Sequence, residues 1–330
     1  MKISSNFDSG NIEVINAEDA GNIQLMIRKD SNSDFLQWFH FRLQGQKNKS
    51  CVMNILNAGE TSYADGWEDY RACASYDKKN WFRVPTDFDG KILSIKHTPE
   101  YDSVYYAYFV PYSYERHLEL LGHSQLSPQC KLIPLCNTVD GRDLDLLTVG
   151  NDDGTKKKIW VIARQHPGET MAEWFMEGMI ERLLDEHDPI SKSLLKKAVF
   201  YIVPNMNPDG SIRGNLRSNA AGANLNREWL EPSIEKSPEV FYVRQKMHET
   251  GVDLALDIHG DESLPYNFVA TCEGNPSYNE NLKKLEDTFI EHLMTVNPDF
   301  QNEFHYEKGK FKMEQLKLAT NYIGQTFKCL

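Results

Sequence analysis

The pattern of apolar residues changes at residues 111–114, where Pro111 interrupts one pattern and a different one follows. Before this point, β-branched and aromatic residues form short runs between clusters of Asn, Asp, Gly and Ser, which predicts strands joined by turns. The predicted strands are 12–16, 23–29, 35–43, 81–84, 92–95 and 104–110. In one of them Phe39, Phe41 and Leu43 recur at every second position, which indicates one buried face. Short strands at such close intervals predict a β-sandwich over residues 1–115.

After this point, runs typical of strands alternate with segments typical of helices. The predicted strands are 143–149, 158–165, 198–203, 252–258 and 266–272, and the predicted helices are 114–122, 169–186, 238–250 and 278–294. Several of these strands are continuously apolar, as strands buried on both faces are. The alternation predicts an α/β domain over residues 116–330, with helices covering a mixed or parallel sheet.

Length and composition limit the class of protein. The chain has 330 residues, of which 40% are hydrophobic, and this suffices for the cores of roughly two domains. Its formal net charge of -12 argues against nucleic acid or an anionic membrane as a general partner. Neither a signal peptide nor an apolar run long enough to span a membrane is visible. The six cysteines have no paired spacing, which predicts reduced thiols in a cytoplasmic protein.

A His-x-x-Glu step, His166 to Glu169, follows the predicted strand 158–165 directly. Ligand sites in open α/β sheets lie at the carboxyl ends of strands. Pro167 and Gly168 supply a sharp turn, which can bring the histidine and the glutamate onto one metal ion. Such a step also arises by chance, and the simpler interpretation is a capped helix start with a surface histidine.

His259 also follows an apolar strand, 252–258. The simpler interpretation here is a partly buried histidine paired with a neighbouring carboxylate, Asp257 or Asp261. Catalytic zinc needs three protein ligands, usually imidazole nitrogen or carboxylate oxygen, and an open position for water. His166, Glu169 and His259 have the right number and chemistry for such a site.

The segment 207–229, downstream of the predicted strand 198–203, is a polar loop rich in arginine and asparagine. Arginine pairs through two hydrogen bonds with a carboxylate, and asparagine can donate beside it. The loop can therefore bind an anionic group. A solvated loop with surface arginines is the alternative interpretation.

These motifs resemble, in order, spacing and strand context, the zinc carboxypeptidases of the M14, or carboxypeptidase A-like, family over residues 120–330. The motifs are His166-Pro167-Gly168-Glu169, Asn207-Pro208-Asp209-Gly210, Arg217-x-Asn219, Asn226-Arg227 and the late His259. The preceding β-rich region, with its start at 7–12 and the junction at 111–114, resembles the cytosolic carboxypeptidase subfamily. The implied fold is an N-terminal antiparallel β-sandwich followed by a carboxypeptidase-like α/β domain, whose mixed central sheet is covered by helices.

The resemblance also implies roles for individual residues. One zinc ion per chain would be bound by His166, Glu169 and His259. Arg217 would polarise the scissile carbonyl, and Asn226 and Arg227 would bind the terminal carboxylate of a peptide or protein substrate. The implied activity removes C-terminal residues, with glutamate as a candidate leaving residue.

The chain departs from the family pattern at two points. Asn224 stands where the family commonly has an aspartate that orients a zinc-bound histidine, and this predicts weaker support of the ligand. The general-base glutamate of the family, on a late strand, has no counterpart after His259. We expect the catalytic domain to be truncated, with residues 320–330 leading into that strand and the base lying beyond Leu330.

Two further functions fit the same residues. One is an amidase acting on cell-wall peptides or acylated amino acids through the same metal arrangement. The other is a zinc-binding protein that recognises peptide C-termini without cutting them, and the missing glutamate favours it. The sequence predicts neither the natural substrate nor the oligomeric state.

Overall fold

We describe a computed structural model of the chain, covering all residues except 273, 274, 308, 309, 312 and 330. The strands are β1 (Lys2–Ser4), β2 (Glu13–Asn16), β3 (Ile23–Met26), β4 (His40–Gln44), β5 (Cys51–Ile55), β6 (Cys73–Ser75), β7 (Trp81–Arg83), β8 (Thr86–Phe88), β9 (Leu93–His97), β10 (Ser103–Ala107), β11 (Cys130–Asn137), β12 (Asp143–Val149), β13 (Lys157–Ala163), β14 (Ala198–Val203) and β15 (Leu254–Ile258). The helices are α1 (Tyr114–Ser124), α2 (Met171–Leu184), α3 (Pro189–Leu195), α4 (Pro208–Arg213), α5 (Pro238–Thr250), α6 (Glu280–Val296) and α7 (Ala319–Phe327).

The residues group into two compact units that interleave along the chain. The first contains 1–114, 166–171 and 208–222, and the second contains 115–165, 172–207 and 223–330. The predicted domain boundary at residue 115 concerns which segments fold independently. The compact units do not test this, so the boundary stays a prediction.

The first unit contains two five-stranded sheets, ordered β1-β4-β10-β6-β7 and β2-β3-β5-β9-β8. All pairings are antiparallel except that between β3 and β5, which is parallel. The inward residues of both sheets form one core, to which Phe39, Phe41 and Leu43 contribute as their period of two predicts. Leu216, from the loop after α4, is buried in the same core.

The second unit contains a mixed sheet in the order β11-β12-β14-β13-β15, with helices around it. β13 pairs in parallel with both β14 and β15, whereas β12 pairs antiparallel with β14. Every residue of β14 is buried, because apolar clusters cover both faces of the sheet. The predicted fold class is confirmed.

One strand predicted from the sequence is absent. Residues 266–272 form no strand, since Asn267 makes one isolated bridge to Phe300 and the ring of Tyr266 stacks on that of Phe304 at 4.5 Å. These contacts hold the segment against a loop instead of a strand ladder. Residues 319–327 form helix α7, whose buried face includes Ala319 and Ile323, and the expectation that residues 320–330 lead into a further strand stays a prediction. Among the described residues, no helix is long and apolar enough to cross a membrane.

Candidate metal centre

The register of the central sheet places two strand ends side by side. β13 and β15 run in parallel, with Ala163 opposite Ile258, and Arg164 N donates to Ile258 O at 3.3 Å. Parallel strands end at the same edge of a sheet. His259 is the next residue after β15, and the His166 turn begins three residues after β13. Both segments therefore leave the sheet at its carboxyl edge, as the apolar runs predict.

His166 and Glu169 lie in a turn that precedes helix α2, so Glu169 does not open the helix. Glu169 N donates to His166 O at 3.2 Å, which closes the turn. Gly168 packs closely against Leu216: a Cβ there would lie 3.0 Å from both Cδ1 and the carbonyl oxygen of Leu216. Gly168 N also donates to Leu216 O at 2.8 Å, so this loop supports the turn.

The structure brings the three predicted ligands together. His166, Glu169 and His259 each offer one ligand atom, and the three atoms lie within 4.8 Å of one another. His166 Nδ1 and Glu169 Oε1 are 2.6 Å apart, and both side chains are buried. Ligand atoms of one tetrahedral zinc ion lie about 3.4 Å apart, given bonds of about 2.1 Å. Small side-chain adjustments would therefore fit the set to zinc. Their role as ligands stays a prediction.

The ring of His259 is oriented by a buried carboxylate. Its Nε2 lies 2.9 Å from Asp257 Oδ2 and 3.2 Å from Asn226 Nδ2. Asn226 Oδ1 accepts from Ala319 N at 2.9 Å, which assigns the orientation of the amide. A carboxylate oxygen accepts, so we assign the imidazole as the donor to Asp257, and Asn226 Nδ2 is only adjacent. This orientation leaves Nδ1 of His259 as the ligand atom.

Asp257 belongs to a chain of buried hydrogen bonds. Gln165 Nε2 donates to its Oδ2 at 2.7 Å, and Trp229 Nε1 donates to Gln165 Oε1 at 2.9 Å. Oδ1 of Asp257 is buried without a hydrogen-bond partner among the described residues. A buried carboxylate behind a histidine raises the basicity of the ring and favours a cation, so the surroundings fit the metal. From sequence, Asp257 is only a possible partner of a buried histidine, and Gln165 carries no signal.

Arg164, at the start of the same turn, is fixed by a buried ion pair. Its backbone has a φ of +56°, and its Nη1 lies 2.5 Å from Glu173 Oε2. Glu173 also contacts His117 Nδ1 at 2.7 Å and Asn205 Nδ2 at 3.1 Å. A buried charge is tolerated when it is paired in this way, and breaking such a pair is costly. The cluster therefore anchors the beginning of the turn that carries His166.

Arg217 is held close to the predicted ligands. Its Nη1 lies 3.9 Å from Glu169 Oε1, and its side chain is 13% exposed. The guanidinium lies over the rings of Phe35 and Tyr63, at 5.7 and 5.6 Å from their centroids. Burial raises the pKa of Asp30, which accepts from the backbone of Arg217, although these hydrogen bonds oppose the shift.

Asn226 and Arg227 lie on the 3-10 turn Leu225–Arg227. Arg227 Nη1 donates to Asn226 O at 2.8 Å, and its Nε lies 3.2 Å from Glu314 Oε2. This guanidinium therefore already pairs with a carboxylate of the chain itself. The role proposed for Asn224 stays a prediction, as does the position of the general base beyond Leu330, itself outside the described residues.

Two family models match the chain. Residues 3–109 match the cytosolic carboxypeptidase N-terminal domain, and residues 118–325 match zinc carboxypeptidase. Mouse cytosolic carboxypeptidase 6 is 30% identical over 341 residues, with 95% of this chain and 62% of the mouse protein covered.

Solved structures give the same result. A metallo-carboxypeptidase from Burkholderia cenocepacia has 53% identity and a TM-score of 0.97, covering 100% of this chain and 88% of its own. A Pseudomonas aeruginosa metallo-carboxypeptidase in complex with (2-guanidinoethylmercapto)succinic acid has 49% identity, a TM-score of 0.97 and the same coverage. The chain therefore belongs to the M14 zinc carboxypeptidases, with the N-terminal domain of the cytosolic carboxypeptidases, and it is a peptidase of the hydrolase class.

Proposed function

We propose that this protein is a zinc-dependent carboxypeptidase that removes C-terminal residues from peptides or proteins, and that His166, Glu169 and His259 bind one zinc ion per chain. The observation that carries the proposal is the approach of their three ligand atoms to within 4.8 Å. The buried Asp257 behind His259 supports it, because it adds negative charge beside the three side chains.

Zinc supplies Lewis acidity and lowers the pKa of the attacking water towards ~7. The remaining roles would be carried out by side chains of the protein. Arg217 would stabilise, through its guanidinium, the negative charge that develops on the scissile carbonyl oxygen. Arg227 would bind the terminal carboxylate in place of Glu314, the carboxylate with which it is paired in the structure. Asn226 would donate beside it.

We further propose glutamate as the leaving residue, following the resemblance to cytosolic carboxypeptidases. The ligand of the Pseudomonas structure carries two carboxylates and a guanidinium, so a basic leaving residue is the competing specificity. A cytoplasmic location completes the proposal. It is supported by the name of the relatives and by six cysteines that the structure leaves as free thiols.

The test is hydrolysis of a peptide panel that differs only in the last residue, with C-terminal glutamate, arginine and leucine, and with an amidated copy of each. We expect release of the last residue from free C-termini, fastest for glutamate, and none from the amides. Chelation of zinc should abolish release and added zinc should restore it. Equal cleavage of the amidated peptides would contradict a carboxypeptidase and favour an amidase.

A further inference from the structure

A single buried carboxylate in the first unit accepts from three consecutive backbone N–H groups. Asp30, which lies in the connection after β3, is 5% exposed. Its Oδ1 accepts from Leu216 N at 2.6 Å, and its Oδ2 accepts from Arg217 N at 2.7 Å and Ser218 N at 2.9 Å. The hydroxyl of Ser218 donates to Oδ2 as well, at 3.0 Å. All four donors belong to the segment around Arg217.

This contact determines the local backbone because residues 216–218 lie outside any helix or strand. Buried N–H groups that lose their acceptor carry a desolvation cost, and a charged acceptor makes stronger hydrogen bonds than a neutral one. The two residues after Asp30 also contact the loop, one on each side of residues 216–218. Ser31 N donates to Asn215 Oδ1 at 3.1 Å, and Asn32 Nδ2 donates to Ala220 O at 2.9 Å.

The segment that Asp30 holds leads directly to the predicted chemistry. Arg217 is the middle residue of the three, and its guanidinium lies 3.9 Å from Glu169 Oε1. Leu216 O accepts from Gly168 N in the turn that carries His166 and Glu169. Asp30 itself is therefore separated from the predicted oxyanion-stabilising side chain by one backbone hydrogen bond.

We propose that Asp30 is a positioning residue that fixes the backbone of residues 216–218 and thereby aims Arg217 at the scissile carbonyl. The inference rests on the proposed function in assigning that role to Arg217. Asp30 lies within the residues that match the cytosolic carboxypeptidase N-terminal domain, whereas Arg217 lies within those that match zinc carboxypeptidase. The N-terminal domain thus takes part in catalysis through this residue.

The first measurement is steady-state kinetics of Asp30→Asn. The asparagine amide has nearly the same size as the carboxylate. However, its NH2 group places a donor opposite a backbone N–H, and only one acceptor oxygen remains. We expect kcat to fall about 10- to 100-fold with KM within about 2-fold, since a misplaced catalytic group costs rate at constant binding. Zinc content should match that of the wild type. Ser218→Ala removes one donor of the four and is the milder variant, with a loss of a few-fold.

The second measurement separates positioning from general loss of structure. In an Arg217→Ala background, Asp30→Asn should lower kcat by no more than about 3-fold, because the side chain that it positions is gone. The matched control is Asp34→Asn, four residues further on, where the carboxylate is 96% exposed and paired with Lys29. That variant should keep wild-type kcat.

Hydrogen exchange of the amides of residues 216–218 provides a readout that is independent of activity. Faster exchange in Asp30→Asn, but not in Asp34→Asn, supports the proposal. Unchanged exchange, an undiminished loss of kcat in the Arg217→Ala background, or loss of zinc along with kcat overturns it. If the wild type binds zinc but cleaves no peptide, the proposed function fails, and exchange at 216–218 still decides whether Asp30 holds the loop.

Discussion

His259 and Arg217 are both side chains of the proposed site, and they are held by different kinds of interaction. His259 follows a strand whose register with β13 is set by a parallel ladder, Ile159–Leu254 to Ala163–Ile258. Arg217 lies in a loop whose backbone donors point at one buried carboxylate, Asp30. The ladder distributes the positioning over several equivalent hydrogen bonds, whereas the loop concentrates it on one side chain.

This difference determines how strongly the loss of one interaction disturbs the position of each side chain. Losing one ordinary hydrogen bond of a ladder costs about 0.5–1.5 kcal/mol, and the remaining bonds keep the register. Losing a charged acceptor leaves several buried donors unsatisfied at once, and nothing local replaces it. We therefore expect the region of Arg217 to be more sensitive to isosteric substitution than the strand end at His259.

The largest expected effect is on stability in acid, through His40 in the first unit. Burial lowers the pKa of His40 to about 3, with the charge of Lys78 as the second cause. In the unfolded chain this imidazole binds a proton near pH 6.5, whereas in the folded chain it does so only near pH 3. Its contribution to the free energy of unfolding is therefore fully present above pH 6.5 and is lost as the pH falls towards 3. The shift corresponds to roughly 5 kcal/mol at its limit. Ser9 links His40 to helix α4, which precedes the loop of Arg217, because its Oγ lies 2.9 Å from His40 Nδ1 and its N donates to Ile212 O.

Urea unfolding of the wild type and of His40→Asn at pH 7, 5 and 4 measures this contribution. The dependence on pH should be clearly shallower in His40→Asn than in the wild type. His187→Asn, at an exposed histidine, is the control and should keep the wild-type slope. Equal slopes in all three proteins would show that His40 does not carry the acid sensitivity.

The next effect is on catalysis at Arg217. Removing one preorganised group that stabilises an oxyanion costs about 10²- to 10³-fold in kcat. We expect this loss in Arg217→Ala with the zinc content unchanged, since Arg217 approaches the proposed ligand Glu169 only to 3.9 Å. Parallel assays of kcat and bound metal check the prediction. A kcat within 3-fold of the wild type would remove Arg217 from the chemistry.

A smaller effect is expected at Asp257, behind His259. Substituting a carboxylate that orients a ligand typically costs 10- to 100-fold in metal affinity. Asp257→Asn should therefore bind zinc about 10- to 100-fold more weakly in competition with a chelator. Asp253→Asn is the matched control, because Asp253 lies just before the same strand and pairs with Lys157 at the surface. Identical affinities in the two variants would contradict the assigned orientation of His259.

The smallest effect is expected at Gly168, in the turn that packs against the loop of Arg217. Gly168→Ala would bring a Cβ to 3.0 Å from the carbonyl oxygen of Leu216, and the crowding should destabilise by about 1–3 kcal/mol. Gly178→Ala, inside α2 and with open space around its Cβ position, should instead stabilise by about 0.5–1 kcal/mol. Denaturant unfolding of both variants measures the two signs. Stability changes of the same sign in the two variants would indicate that the turn at Gly168 can relax around the added methyl group.

Sequence patterns predict the strand end at His259 better than the loop of Arg217. Continuous apolar runs mark β13, β14 and β15, and parallel strands bring their carboxyl ends to one edge. The contact of Asp30 with residues 216–218 leaves no such pattern. It joins residues nearly 190 positions apart, and an aspartate in a turn is ordinarily a solvated residue. Likewise, the apolar spacing in 319–327 suits either a strand or a helix, and packing on the sheet decides for α7.

The central claim is that His166, Glu169 and His259 together bind one zinc ion. Metal analysis of purified wild type and of His166→Ala, Glu169→Ala and His259→Ala, with His187→Ala as the exposed control, tests it most directly. We expect one zinc per chain in the wild type and in the control, and a loss of bound zinc and of peptidase activity in each of the other three. Zinc at the wild-type level in His166→Ala would contradict the claim.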